Sequence, residues 1–289
     1  MTNALLTGLV LGGMYALIAM GLTLQYGVAR IMNLAYGEFL IGSAFASYLL
    51  FTGWAVNPLV GLAVVVPVSF IASLLLYKIF LTPLVRRART RDALEVDSIL
   101  ATFGLMFIVQ GILLTMFGGA YFSYSFLAIP VTVVGEVLAM NRLVAFALAV
   151  VLGTVLYLLL TRTRIGTSIR GVAVDPNVAP LVAINVPQLS ALAFAVGGAL
   201  VAAAGVLISM FLTFSATSGV VFTMKALIVV VMGGIGNLMG CLVAGVLLGL
   251  SEALVATYID PGLTIAVNFA LFLGVLLVKP AGIFGRARQ

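Results

Sequence analysis

Apolar residues run along this chain in blocks of about 20, parted by short polar or glycine-rich breaks, a spacing that predicts membrane-crossing helices. A hydrocarbon layer about 30 Å thick needs roughly 20 apolar residues as helix, because the backbone polar groups must be satisfied inside the segment. Eight or nine stretches meet that demand, at residues 4–26, 34–53, 58–81, 99–117, 143–160, 189–212, 220–233, 240–258 and 263–278. The stretch 220–233 is short for a full crossing and reads as a half-helix joined to the next through Gly233-Gly234-Ile235-Gly236-Asn237. No polar block is long enough to fold alone. The expected fold is therefore an all-α integral membrane protein, one domain over residues 1–289, built as a polytopic helical bundle of about eight to nine transmembrane segments including broken half-helices. The first span lacks a basic leader and is expected to be a retained helix.

Composition agrees, with 64% hydrophobic and 8% charged residues where soluble chains carry about a quarter charged. The excess of 14 basic over 8 acidic residues sits in short connections beside apolar spans, which points to the anionic inner leaflet rather than to nucleic acid. Arg86, Arg87, Arg89 and Arg91, the loop with Arg162, Arg164 and Arg170, and the tail with Lys279, Arg286 and Arg288 are expected to be cytoplasmic. Nine crossings satisfy all three with the N-terminus outside and the C-terminus inside. Without histidine, and with Cys241 as its single cysteine, the chain has no means of making an internal disulfide framework, a zinc site or His-based catalysis.

Small residues recur at spacing four, as in Gly8 with Gly12, Gly198 with Ala202, Gly236 with Gly240 and Gly245 with Gly249, a pattern that lets helix backbones approach in lipid. The most informative interruption is Tyr26 to Glu38, where Gly27, Arg30, Asn33, Tyr36, Gly37 and Glu38 break an otherwise apolar run. One reading is a plain cytoplasmic turn with Arg30 and Glu38 at the interface. The other is a broken helix lining a pathway, where Asn33 and Tyr36 offer hydrogen bonds to a solute and the N–H groups of the restarted helix favour an anion. Ile31-Met32-Asn33-Leu34 with Gly37 is echoed by Ile235-Gly236-Asn237-Leu238 with Gly240, and paired interruptions of this sort mark transporter sites. Lys225 and Glu252 also sit within apolar sequence and are read as interfacial.

Residues 161–188 form the longest basic connection. Asp175 and Pro176 read as an N-cap and first-turn proline for a short helix with Val178, Ala179, Leu181, Val182 and Ile184 on its apolar face, shortened or kinked by Pro180. Such a knob either folds back on the bundle or docks as a coupling helix in another subunit. The chain has no G-x-x-x-x-G-K-[ST] run, no G-x-S-x-G elbow and no paired catalytic carboxylates, so any ATP is expected to be hydrolysed elsewhere.

These residues resemble the membrane permeases of ABC importers for branched-chain amino acids, specifically the shorter, H-type subunit. The resemblance is carried by Gly21 to Phe39, by Arg164-Ile165-Gly166 through Arg170, Ala173, Asp175-Pro176, Ala179, Leu181 and Ile184-Asn185-Val186, by Gly233 to Asn237, by Glu252-Ala253-Leu254, and by Pro280 to Gly285. It runs nearly end to end. Tyr36 stands where the family commonly has histidine, and Gly171 and Ala183 stand where it has Ala and Gly. The resemblance implies a non-catalytic permease subunit of the bacterial inner membrane that translocates branched-chain or related hydrophobic amino acids by alternating access. Relatives for urea, amides or aromatic acids leave the substrate open, and a secondary transporter or channel is the reading from another class. Asn33, Tyr36, Gly37, Glu38, Gly233, Gly234, Gly236 and Asn237 would line the pathway, and Arg164, Gly166, Arg170, Asp175, Pro176, Asn177, Ala179, Leu181 and Ile184 would receive the ATPase. Expected partners are a second permease subunit (a paralogue or a second copy), two cytoplasmic ATPase subunits that bind ATP and Mg, a periplasmic solute-binding protein and the lipid bilayer. No cofactor is expected on this chain.

Overall fold

The computed structural model describes residues 1–87, 90–133, 135–176 and 178–285, and of Arg91 and Asp92 the backbone only. Arg89, Asn177, Arg286 and Arg288 lie outside the described residues. The first half holds α1 (Thr2–Ala29), α2 (Tyr36–Trp54), α3 (Pro58–Leu76), a π-helical turn (Tyr77–Leu81), α4 (Thr82–Arg87) and α5 (Arg91–Phe117). A hairpin of β1 (Pro130–Val133) and β2 (Glu136–Ala139) precedes α6 (Met140–Arg162), α7 (Arg164–Val174) and a 3-10 turn (Ala179–Val182). Then come α8 (Val186–Ser209), α9 (Gly219–Gly233), α10 (Leu238–Tyr258), a second 3-10 turn (Pro261–Leu263) and α11 (Thr264–Val278).

Each apolar block of the sequence thus becomes a helix, and among the described residues 7 helical segments are long and apolar enough to cross a membrane. The two remaining blocks form α2, of 19 residues, and α9, of 15, which are not among the seven. The expected all-α architecture needs one amendment. The segment before α6 contains an antiparallel hairpin in which Pro130 pairs with Ala139, folding back at Gly135 with φ 80. Strands fit there because the run alternates half-buried and exposed positions and carries β-branched Val131, Thr132 and Val133.

Helix starts follow local chemistry. Asn57 accepts the Leu59 N–H ahead of Pro58, Thr90 accepts from Ala93, Thr163 from Gly166, Asn185 from Gln188 and Asn237 from Gly240. By contrast, α2 and α9 begin without a side-chain cap. The small-residue spacings do close packing: a Cβ on Gly12 would strike Val246, and one on Gly249 would strike Gly12, so α1 and α10 touch backbone to backbone. α8 is the buried centre, packed by α1, α2 and α3, while α3, α5, α6 and α11 leave apolar faces such as Val68, Ile108 and Leu277 exposed, as lipid-facing helices do.

Lys225 and Glu252, which the sequence suggests are interfacial, are paired with each other and largely buried in the bundle. Lys225 Nζ donates to Glu252 Oε1 at 2.7 Å and to Tyr15 OH at 2.8 Å, and Asn268 Nδ2 donates to Glu252 Oε2 at 3.3 Å. The cluster ties α1, α9, α10 and α11 together. Pairing is what makes two charges tolerable among apolar helices.

Candidate functional site

The site begins where α1 stops. Arg30 takes the left-handed conformation (φ 56), which costs a non-glycine residue about 1–2 kcal/mol. It is held there from both sides: its N–H donates to Tyr26 O, and its guanidinium donates to Ala173 O on α7 at 3.1 Å. The next residues run without helical bonds, and their polar groups are met by side chains. Met32 N–H donates to Ser98 Oγ, Leu34 N–H to Thr102 Oγ1, and the Thr102 hydroxyl lies 2.9 Å from Met32 O. Asn33 donates to Gln25 Oε1 at 3.2 Å and accepts the Ala35 N–H, while Gln25 donates to Phe194 O. Non-helical backbone at membrane depth persists when protein satisfies it in this way. The reading of Tyr26 to Glu38 as a plain surface turn therefore gives way to a break built into the bundle, with Glu38 buried rather than at the interface.

α2 restarts inside the protein. The Tyr36 hydroxyl lies 3.0 Å from Ile18 O and 3.2 Å from Gly197 O, so its donor is used internally, as are those of Asn33. Gly37 donates its N–H to Thr223 Oγ1 at 2.8 Å and lies so close to Gly219 O that no Cβ would fit. Glu38 is fully buried, and neither carboxylate oxygen has a hydrogen-bond partner. Its carboxylate occupies the space that a Cβ on Gly219, the first residue of α9, would need. Two uncapped helix N-termini, of α2 and α9, thus meet at one unpartnered acid.

The second break is elsewhere. Gly233, Gly234, Gly236 and Asn237 follow the far end of α9, which at 15 residues is about 22 Å long. There Gly234 (φ 97) and Gly236 (φ 84) turn the chain, and Gly233 and Gly240 touch through their backbones. The segment after α11 closes the turn: Ile283 N–H donates to Met232 O, Phe284 N–H to Gly233 O, and Asn237 Nδ2 to Phe284 O. Gly27 faces Gly236, so the chain from Gly27 to Gly37 climbs back along most of α9. The structure brings Asn33, Tyr36, Gly37 and Glu38 together and leaves the glycine turn at the end of the bundle that also carries α7.

At that end the expected short helix is different in form. The helix lies earlier, as α7, capped by Thr163, with Ile169 and Val172 buried and Gly166 pressed on Leu159 and Leu160 of α6. Asp175 is its C-cap rather than an N-cap, and Ala179 to Val182 make a single 3-10 turn, since Pro180 cannot continue an α-helix. Pro176 is half-buried, Ala179 is buried and Ile184 half-buried, whereas Arg164 and Arg170 are exposed. Val174 and Leu181, each 82% exposed, stand out with Ile165, Val178 and Val182 as an apolar knob. Beside it, Arg164, Ser168, Asn185 and Gln188 line a cleft of about 400 Å³.

The sequence reading missed Gln25, Ser98, Thr102, Gly219 and Thr223. Each gave a signal: an isolated polar residue in an apolar span needs a partner, and the run Thr213 to Gly219 is as polar as the first break. At the opposite end of the bundle, the Tyr124 hydroxyl bridges Ser47 and Ser209, and burial pushes its pKa up.

Comparison with known proteins places these features in context. The family described as the permease component of the branched-chain amino acid transport system matches residues 4–278. The high-affinity branched-chain amino acid transport system permease protein LivH of Salmonella typhimurium is 29% identical, over 96% of this chain and 94% of its own. LivH of Escherichia coli is 28% identical, over 96% and 94%. BraD of Pseudomonas aeruginosa, described in the same words, is 29% identical, over 98% and 95%. No solved structure matches.

Proposed function

Because the chain belongs to the branched-chain amino acid transport permease family, we propose that it is half of the translocation pathway of an ABC importer that carries branched-chain or related hydrophobic amino acids into the cytoplasm. It is a transport subunit, not an enzyme. A second permease subunit supplies the other half, two cytoplasmic ATPases bind the ATP and Mg, and a periplasmic binding protein delivers the solute. Residues 1–289 act as one permease domain in the bacterial inner membrane, with nine helical segments, the N-terminus outside and the C-terminus inside. α2 and α9 complete crossings that the re-entrant backbone begins.

The observation that carries the reading is the bare apolar knob of residues 161–188. Val174 and Leu181 are each 82% exposed, and Arg164 and Arg170 of the same segment are exposed too. Exposed apolar side chains in a polar rim mark a docking surface. Arg30 joins this knob to the pathway, since its guanidinium holds Ala173 of α7 and its backbone starts the re-entrant segment. Closure of the ATPases would push α7, and the push would pass through Arg30 to Asn33, Tyr36, Gly37 and Glu38. The glycine turn from Gly233 to Asn237 would act as the pivot of α9 against α10.

Co-purification tests this. ATPase subunits should come down with the intact chain and be lost from an Asp175→Lys/Leu181→Lys variant that still extracts as a monodisperse protein. Retention of the ATPases at the wild-type level would refute the docking surface. Uptake over a panel of branched-chain and aromatic amino acids, urea and amides fixes the substrate.

A further inference from the structure

Glu38 is a buried acid that the packing leaves unanswered. An ionised carboxylate among apolar helices costs several kcal/mol unless it is paired or neutralised. Glu252 on α10 has a lysine and an asparagine on it, whereas both oxygens of Glu38 lack any partner. Its neighbours are accounted for. Thr223 Oγ1 receives the Gly37 N–H and lies 3.2 Å from Leu34 O, and Asn33, Gln25 and Tyr36 are bonded to one another's surroundings or to backbone.

The position is also specific. Glu38 stands in the first turn of α2 and points at Gly219, where α9 begins, and neither helix start has a side-chain cap. The Gly37 N–H of α2 is taken by Thr223, but the start of α9 carries partial positive charge, so a solute arriving here finds an acid and an anion-receiving helix end side by side. A zwitterion presents the complementary pair.

We propose that the Glu38 carboxylate receives the α-ammonium group of a zwitterionic amino acid in transit, with the uncapped start of α9 at Gly219 facing the solute's carboxylate. The inference rests on the permease reading above. Glu38 is closed off in this conformation, so the contact forms when α2 and α9 part. The carboxylate then serves as the selective element for an ammonium-bearing solute. Asn33 and Tyr36 position the re-entrant backbone and do not touch the solute.

The test uses the complete transporter, with ATPases and binding protein, in proteoliposomes. ATP-driven leucine uptake should fall about 10-fold or more in Glu38→Gln, the loss expected when a charge-assisted contact is removed, and partly return in Glu38→Asp. A second measurement needs no variant: a hydrophobic carbodiimide should label Glu38 in the wild-type complex. Leucine should slow that labelling, and 4-methylpentanoate, which lacks the ammonium group, should not. Wild-type uptake in Glu38→Gln, or labelling indifferent to leucine, would overturn the subsite. Absence of ATP-driven amino acid uptake by the wild-type complex would instead overturn the permease reading.

Discussion

Glu252 on α10 and Glu38 on α2 belong to one bundle and are treated in opposite ways. Glu252 is clamped by Lys225, Tyr15 and Asn268, so its charge is spent on holding four helices together. Glu38 sits where two helices begin and has nothing bonded to it. Charge in an apolar interior is expensive, and a protein retains it either as a bolt or as a contact for something that comes and goes. The bolt is at the packed seam of α1 and α10; the open acid is at the break, where α2 and α9 begin.

The same substitution at both places should separate the roles. Glu252→Gln leaves Lys225 without its counter-charge and should lower stability by about 3 kcal/mol, read as an earlier thermal unfolding midpoint in detergent. Pairing Lys225→Met with Glu252→Leu should recover most of that loss, because the apolar pair removes both charges at once; a double variant as unstable as the single one would mean the cluster acts through packing alone. Glu38→Gln should change stability by less than about 1 kcal/mol, in either direction, while transport is lost. Equal destabilisation at the two sites would make Glu38 a structural residue. Asn268→Ala, which removes a single 3.3 Å bond to Glu252, should cost about 0.6 kcal/mol.

Much of the bundle could be read along the chain. Each apolar block lies within a helix or overlaps one, the pairs Gly8 with Gly12 and Gly245 with Gly249 are where α1 meets α10, and the break before α2 is where the backbone leaves helical form. These succeed because length against bilayer thickness, and satisfaction of backbone groups, are local properties. The misreadings were also local in cause. Asp175 followed by Pro176 looks like a helix start, yet Ile165, Ile169 and Val172, at spacings of four and three after Thr163, form the helix that comes first. Likewise Thr132 and Val133 lie between two apolar blocks of the sequence, and only their pairing with β2 makes them a strand.

The candidate site was legible as a place but not as an arrangement. Residues 26–38 announced a break, and Glu38 announced a charge needing an explanation. That Gly219 lies on Glu38, that Thr223 holds Gly37 and that Arg30 grips α7 join residues more than 140 positions apart in the chain. The two echoing interruptions, which look like a matched pair in the sequence, differ in form: the first runs along α9 from Gly27 to Gly37, and the second is a turn at one end of it.

The placing of the apolar helices and the presence of interruptions were decided by the chain alone, because each follows from how many apolar residues stand in a row and what stands between them. Which acid is bolted and which left open was decided by the packing of distant helices, because a charge's partner in a membrane bundle comes from whichever neighbour the close approach of small residues brings to it.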